Sequence, residues 1–159
     1  MAEAGLRVLI SEVQAVKESL GRILEDVERF LNEPYDETTK AIKVGYKLAS
    51  LYTAAEDLFR SVARYFENTV EDLTRWHREL LWRMSLAVEG VRREVISRES
   101  FQLLDELRRF RHFFAHAYDV DLDFERIAYL ARKTLKQKDL LMGDLEGFQR
   151  FLLDLLEQR

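Results

Sequence analysis

Apolar residues return every three to four positions along most of this chain, the period of an α-helix with one buried face. The first run covers about Glu3 to Leu31, with Leu6, Leu9 or Ile10, Val13, Val16, Leu20, Ile23 or Leu24, Val27 and Phe30 or Leu31 on its stripe. Asn32 and Pro34 end it. Asp36 is then placed to cap a second helix, with Thr39 where an ideal capping box would have Glu. That helix runs to about Phe66 and should bury Leu48, Leu51, Tyr52, Ala55, Leu58, Phe59 and Val62. A third helix is expected over about 71–88, closed by Gly90 just past its C-terminus. Ser97 starts a fourth, about Arg98 to His116. Asp123 starts a fifth, which runs to the C-terminus with a bend at Gly143 or Gly147. No stretch alternates with period two long enough to make a strand. The pattern predicts an all-α fold, an up-and-down bundle of about five helices forming one domain over residues 1–159.

Composition sharpens this picture in three places. One Pro and six Gly leave few helix breakers, so long helices are natural. Cys is absent, which excludes disulfides and thiolate zinc sites and fits a reducing, cytoplasmic setting. The N-terminus lacks the basic start and apolar stretch of a signal peptide, and no window approaches 18 uncharged apolar residues, so no membrane association is expected. The net charge of −4 argues against a non-specific nucleic-acid coat. Yet arginines crowd the segment 75–111, from Arg75 through Arg92 and Arg93 to Arg108, Arg109 and Arg111, while 139–159 leans acidic.

The chemistry concentrates in residues 101–123, FQLLDELRRFRHFFAHAYDVDLD. On a helical wheel Leu103, Leu107, Phe110, Phe114 and Ala117 form a core stripe. Asp105, Arg109, His112 and His116 fall on the solvent side, with Arg111 on the flank. Arg supplies a planar cationic fork for phosphate, and His exchanges protons near neutral pH. Together at one phosphodiester they suit RNA cleavage without a metal, the 2′-hydroxyl acting as internal nucleophile. Five residues separate Arg111 from His116, about 140° on a straight helix, so one phosphate is shared only if the helix loosens or a second chain faces the first.

The run Arg111-His112-Phe113-Phe114-Ala115-His116-Ala117-Tyr118 has the form Arg, four residues, His, any residue, Tyr. It resembles the signature of HEPN domains, specifically the HepT-like toxins of bacterial toxin–antitoxin pairs. The flanking sequence from Trp76 to Arg126 reads like that group, and the resemblance extends over about residues 40–155. It implies a helical bundle that homodimerises around a shared cleft and acts as a metal-independent endoribonuclease with no cofactor. By position, Arg111 would contact phosphate, His116 would act as base or acid, and His112 would occupy the polar place beside the Arg. There the family commonly has Asn or Asp, so His112 is a departure. Tyr118 matches a tyrosine that a partner nucleotidyltransferase antitoxin modifies with AMP in related systems. Arg108 and Arg109 are further candidates for RNA contact.

Plainer readings stand beside these. His112 and His116 could hold a metal with Asp105 or Asp119, or line a solvated helix face. Tyr118 could simply open a turn before Asp123. His77 reads as packing beside Trp76, with substrate contact the alternative. Arg75, Arg78 and Arg83 read as ion-pair partners of Glu71, Glu79 or other carboxylates. Trp76 and Trp82 read as core or dimer contacts, and Phe113, if outward, as a dimer contact. A non-catalytic helical module that binds a nucleotidyltransferase or nucleic acid is the rival to the nuclease.

Overall fold

The computed structural model describes residues 2–67, 76–117 and 120–158. Six helices occur among them: α1 (Ala2–Asn32), α2 (Glu37–Glu67), α3 (His77–Met84), α4 (Arg98–Ala115), α5 (Phe124–Lys136) and α6 (Lys138–Glu157). The described residues contain no strand, only an isolated bridge between Val88 and Arg92.

Helices α1 and α2 form a long antiparallel hairpin. Its hinge is closed by Asp36, whose carboxylate accepts the Thr39 backbone N–H at 2.7 Å and so caps α2. Its far end is tied by the Tyr65 hydroxyl, which donates to the Ala2 carbonyl at 3.2 Å. Of the stripe read from the periodicity, Leu6, Leu9, Val13, Leu20, Leu24 and Val27 on α1 are buried with Leu48, Leu51, Leu58, Phe59 and Val62 on α2, joined by Val44, while Val16, Phe30 and Leu31 are only partly buried. Helix α2 is the spine, touched by α1 on one side and by α3, α4 and α5 on others, while α6 lies mainly along α1.

Helix α4 begins as expected. Ser97 Oγ accepts the Ser100 N–H, and the Asp144 carboxylate of α6 receives both hydroxyls and the Ser97 N–H. The start of α4 is therefore pinned to α6, while its other end lies against α2. Asp123 caps α5 in the same local manner.

Three expectations need correction. The last helix is two helices, broken at Gln137, whose backbone carries φ −100° and ψ 6°. Gly143 and Gly147 lie inside an unbroken α6, and at Gly147 the missing side chain leaves the Arg93 guanidinium 3.6 Å from where a Cβ would stand. The third helix ends at Met84, with Ser85 as its cap. Gly90 instead takes φ +77° at the tip of the turn closed by the Val88–Arg92 bridge, a conformation glycine adopts without strain. The expected beginning of that helix, residues 71–75, lies outside the described residues.

Candidate active site at the C-terminal end of α4

Helix α4 presents two different surroundings in its last two turns. Toward α2, Phe114 lies against Gly45, where a Cβ would come 2.7 Å from the ring. Glycine at 45 is therefore what lets the end of α4 approach the spine. Phe110 stacks on Phe114 with centroids 5.5 Å apart. These rings are half-buried, whereas Leu103, Leu104 and Leu107 are fully in the core, so the stripe thins toward the end of the helix.

Arg111 extends from this side over α2. Its guanidinium carbon lies 4.8 Å from the centroid of the Tyr52 ring, and Nη1 donates to Thr53 Oγ1 at 3.2 Å. Nη2 lies 3.6 Å from Oε1 of Glu56. The Arg111 side chain keeps 25% of its surface exposed. It opens onto a shallow hollow of about 400 Å³ bordered by Tyr46, Ser50, Thr53, Asp57 and Phe114.

Glu56 is 2% exposed and gathers donors from two helices. Oε2 accepts the Tyr52 hydroxyl at 2.7 Å and lies 2.7 Å from His77 Nδ1, while Oε1 accepts Arg60 Nη2 at 3.0 Å. Burial and the adjacent carboxylate push the Tyr52 phenol far above its ordinary value near 10. Tyr52 therefore stays protonated and acts as a donor.

On the outer side, His112 and His116 are exposed and their rings lie 4.5 Å apart. His116 is the C-cap, its N–H bonded to the Phe113 carbonyl at 3.1 Å, so the last turn tightens as the helix ends. His116 Nδ1 lies 2.7 Å from the His112 carbonyl oxygen. A carbonyl can only accept, so Nδ1 carries the proton. In the neutral ring Nε2 is then the basic nitrogen, on a side chain open to solvent.

Within one chain the side chains of Arg111 and His116 share no hydrogen-bond or ion-pair partner among the described residues: Arg111 turns to Tyr52, Thr53 and Glu56, and His116 to His112. Asp105, expected in solvent, is buried, its two oxygens taken by Arg108 Nε at 2.9 Å and Arg109 Nη1 at 3.2 Å. The candidate RNA contacts Arg108 and Arg109 are thus partly occupied, Arg109 remaining the more exposed. No set of three His, Asp or Glu placed to hold a metal occurs among the described residues. Tyr118 and Asp119 lie outside the described residues. Phe113 does face outward, 49% exposed, beside a cavity of about 650 Å³ between α4 and α5. Trp76 and Trp82 are exposed as well, so neither belongs to the core. Of the arginines crowded into this part of the chain, Arg83 pairs with Glu79 as expected, Arg92 with Glu67 and Arg93 with Glu94. Arg78 lies over the ring of Phe101 instead.

A family model described as HepT-like protein matches residues 43–152, from α2 to α6. The chain belongs to the HepT-like family. No curated protein and no solved structure matches it. The matched span of this HepT-like protein contains Glu56, His77, Arg111 and His116 together. Among the described residues of this HepT-like chain no helix is long and apolar enough to cross a membrane.

Glu56 is the residue that sequence reading passed over. Its signal was present: Glu56 lies four residues after Tyr52 and between Ala55 and Phe59, inside the apolar stripe of α2. A carboxylate on a core-facing position needs partners, and that need points to a buried polar cluster. His77, read as packing beside Trp76, turns out to be one of those partners.

Proposed function

We propose that this HepT-like protein is a metal-independent endoribonuclease, the toxin of a pair whose antitoxin is a nucleotidyltransferase. The observation that carries the reading is that Arg111 and His116 are each anchored through part of their hydrogen-bonding capacity and open through the rest. The guanidinium has five N–H donors, and its Thr53 bond uses one. The imidazole has Nδ1 engaged, and Nε2 has no hydrogen-bond partner among the described residues.

His116 Nε2 takes the proton of a ribose 2′-hydroxyl. The resulting oxygen attacks the adjacent phosphorus, and Arg111 stabilises the charge that builds on the phosphoryl oxygens. The bond to the 5′-oxygen breaks, that oxygen takes a proton from water, and the proton on His116 returns to solvent, which restores the neutral imidazole. The products are a 2′,3′-cyclic phosphate and a 5′-hydroxyl end. A homodimer brings His116 of one chain to Arg111 of the other, which overcomes their separation on a single helix. Tyr118 is the position at which the antitoxin attaches AMP.

The test is cleavage of RNA in EDTA by the purified protein and by Arg111→Ala and His116→Ala variants. Each variant should lose about 10²- to 10⁴-fold in rate, and RNA with a 2′-deoxy sugar at the cut site should resist. Equal activity in all three proteins rejects the assignment. Mixing the two inactive variants should restore about a quarter of wild-type activity, since half the dimers are mixed and each holds one complete site. The separation of Arg111 from His116 within one chain favours a second reading, a non-catalytic module that binds a nucleotidyltransferase or nucleic acid. Complex formation without cleavage would mark it.

A further inference from the structure

We propose that Glu56 is a positioning residue that fixes Arg111 before substrate arrives, with Tyr52 and His77 fixing Glu56 in turn. The inference deepens the reading of Arg111 as the phosphate-contacting group and rests on it.

The geometry is a relay across three helices. His77 at the start of α3 and Tyr52 on α2 meet Oε2 of Glu56, which sets the plane of the carboxylate. Oε1 is thereby aimed between Arg60 and Arg111. A buried carboxylate must be compensated, and Tyr52, His77 and Arg60 already provide three partners at hydrogen-bond distance. Arg111, at 3.6 Å, is not needed to satisfy it. The dependence runs the other way. Arg111 is long, rotamer-rich and a quarter exposed, and without an anion behind it nothing but Thr53 and the Tyr52 ring face would hold it. An arginine already held in place gives up less freedom when a phosphate arrives, and its remaining N–H donors stay directed outward.

The first experiment is Glu56→Gln in the full chain, read by the Arg111 Nε–Hε signal in proton–nitrogen NMR. That signal is assigned by its loss in Arg111→Lys. In the wild type it should be sharp and slow to exchange, and in Glu56→Gln broadened and faster. His77→Gln, at a partly exposed position, should shift it less in the same direction and serves if Glu56→Gln does not fold. The second readout is cleavage kinetics. Glu56→Gln should lower kcat by about tenfold or more with KM changed by less than about threefold, yet add less than about twofold in an Arg111→Ala background. An unchanged Arg111 signal in the folded variants overturns the inference, as does the same fold-loss in both backgrounds, which would mean a merely structural role. If the wild type cleaves no RNA, the nuclease reading fails while the Arg111 signal still decides the positioning role.

Discussion

Five residues apart on one helix, Arg111 and His116 are held in opposite ways. Arg111 is fixed from outside its own helix, by Tyr52, Thr53 and Glu56 of α2. His116 is fixed from within, by the carbonyl of the preceding turn and the ring of His112. The first arrangement exists only when the bundle is folded and its helices are in register. The second needs little more than the end of α4. A fold can thus place a cation through long-range packing and leave an imidazole five residues on held by a short, locally determined tether. Five substitutions break or sharpen this contrast.

The largest effect should come from Arg111→Lys. The charge survives, but the planar fork that spans Tyr52, Thr53 and a phosphate does not. RNA cleavage should fall by about 100-fold or more in kcat/KM, with thermal stability little changed. Near-normal cleavage by the lysine variant would mean that charge alone matters and that the α2 framework is irrelevant to it.

A second effect tests how sealed the Arg111 side is. Tyr52 has its phenol raised far above 10 by burial and by the Glu56 carboxylate, whereas in the unfolded chain it ionises near 10. Its contribution to stability is therefore complete below about pH 10 and is lost as pH climbs beyond it, at about 1.4 kcal/mol per pH unit. Tyr52→Phe should remove this part of the alkaline slope in urea titrations, at the cost of about 1 kcal/mol at neutral pH from the missing hydrogen bond to Glu56. An unchanged slope would show water reaching the cluster.

How much of this could be read from the chain depends on how local each feature is. The caps at Asp36, Ser97 and Asp123 were legible, since each is a side chain bonding a backbone N–H two or three residues on. The break at Gln137 was not. Thr134 and Leu141, the buried residues either side of it, are seven apart, two turns, so the apolar period runs straight through. Of the site, the motif from Arg111 to Tyr118 was visible as a pattern. What Arg111 rests on was not, because Thr53 and Glu56 lie more than fifty residues earlier and only tertiary packing brings them near. Asp105 misled for a related reason. It takes its partners from its own helix, Arg108 and Arg109, while α4 turns that face inward, which a wheel drawn on one helix does not register.

Glycine substitutions give a smaller, two-signed test of the packing that carries Arg111. Gly45→Ala would drive a methyl to within 2.7 Å of Phe114 and move the end of α4. Crowding of about 1–3 kcal/mol should outweigh the gain of about 1 kcal/mol in helix propensity. Gly143→Ala meets nothing within 4 Å in mid-α6 and should stabilise by roughly 0.5–1 kcal/mol. Urea unfolding of both variants reads the opposite signs. Equal stabilisation would show that Phe114 swings away freely and that the α2–α4 contact does not hold Arg111 in place.

The smallest effect is expected at His112, and it bears most directly on the other half of the contrast. The bond that selects the His116 tautomer goes to the backbone oxygen of residue 112, not to its side chain. His112→Ala therefore keeps that bond, and an alanine costs nothing at an exposed helical position. Only the ring contact at 4.5 Å is lost. Cleavage should stay within about threefold of wild type, a change of about 0.6 kcal/mol, while His116→Ala abolishes most of it. If His112→Ala instead falls as far as His116→Ala, the imidazole at 112 takes part in proton transfer. The outer side of α4 would then be a two-histidine device, not one group on a local tether.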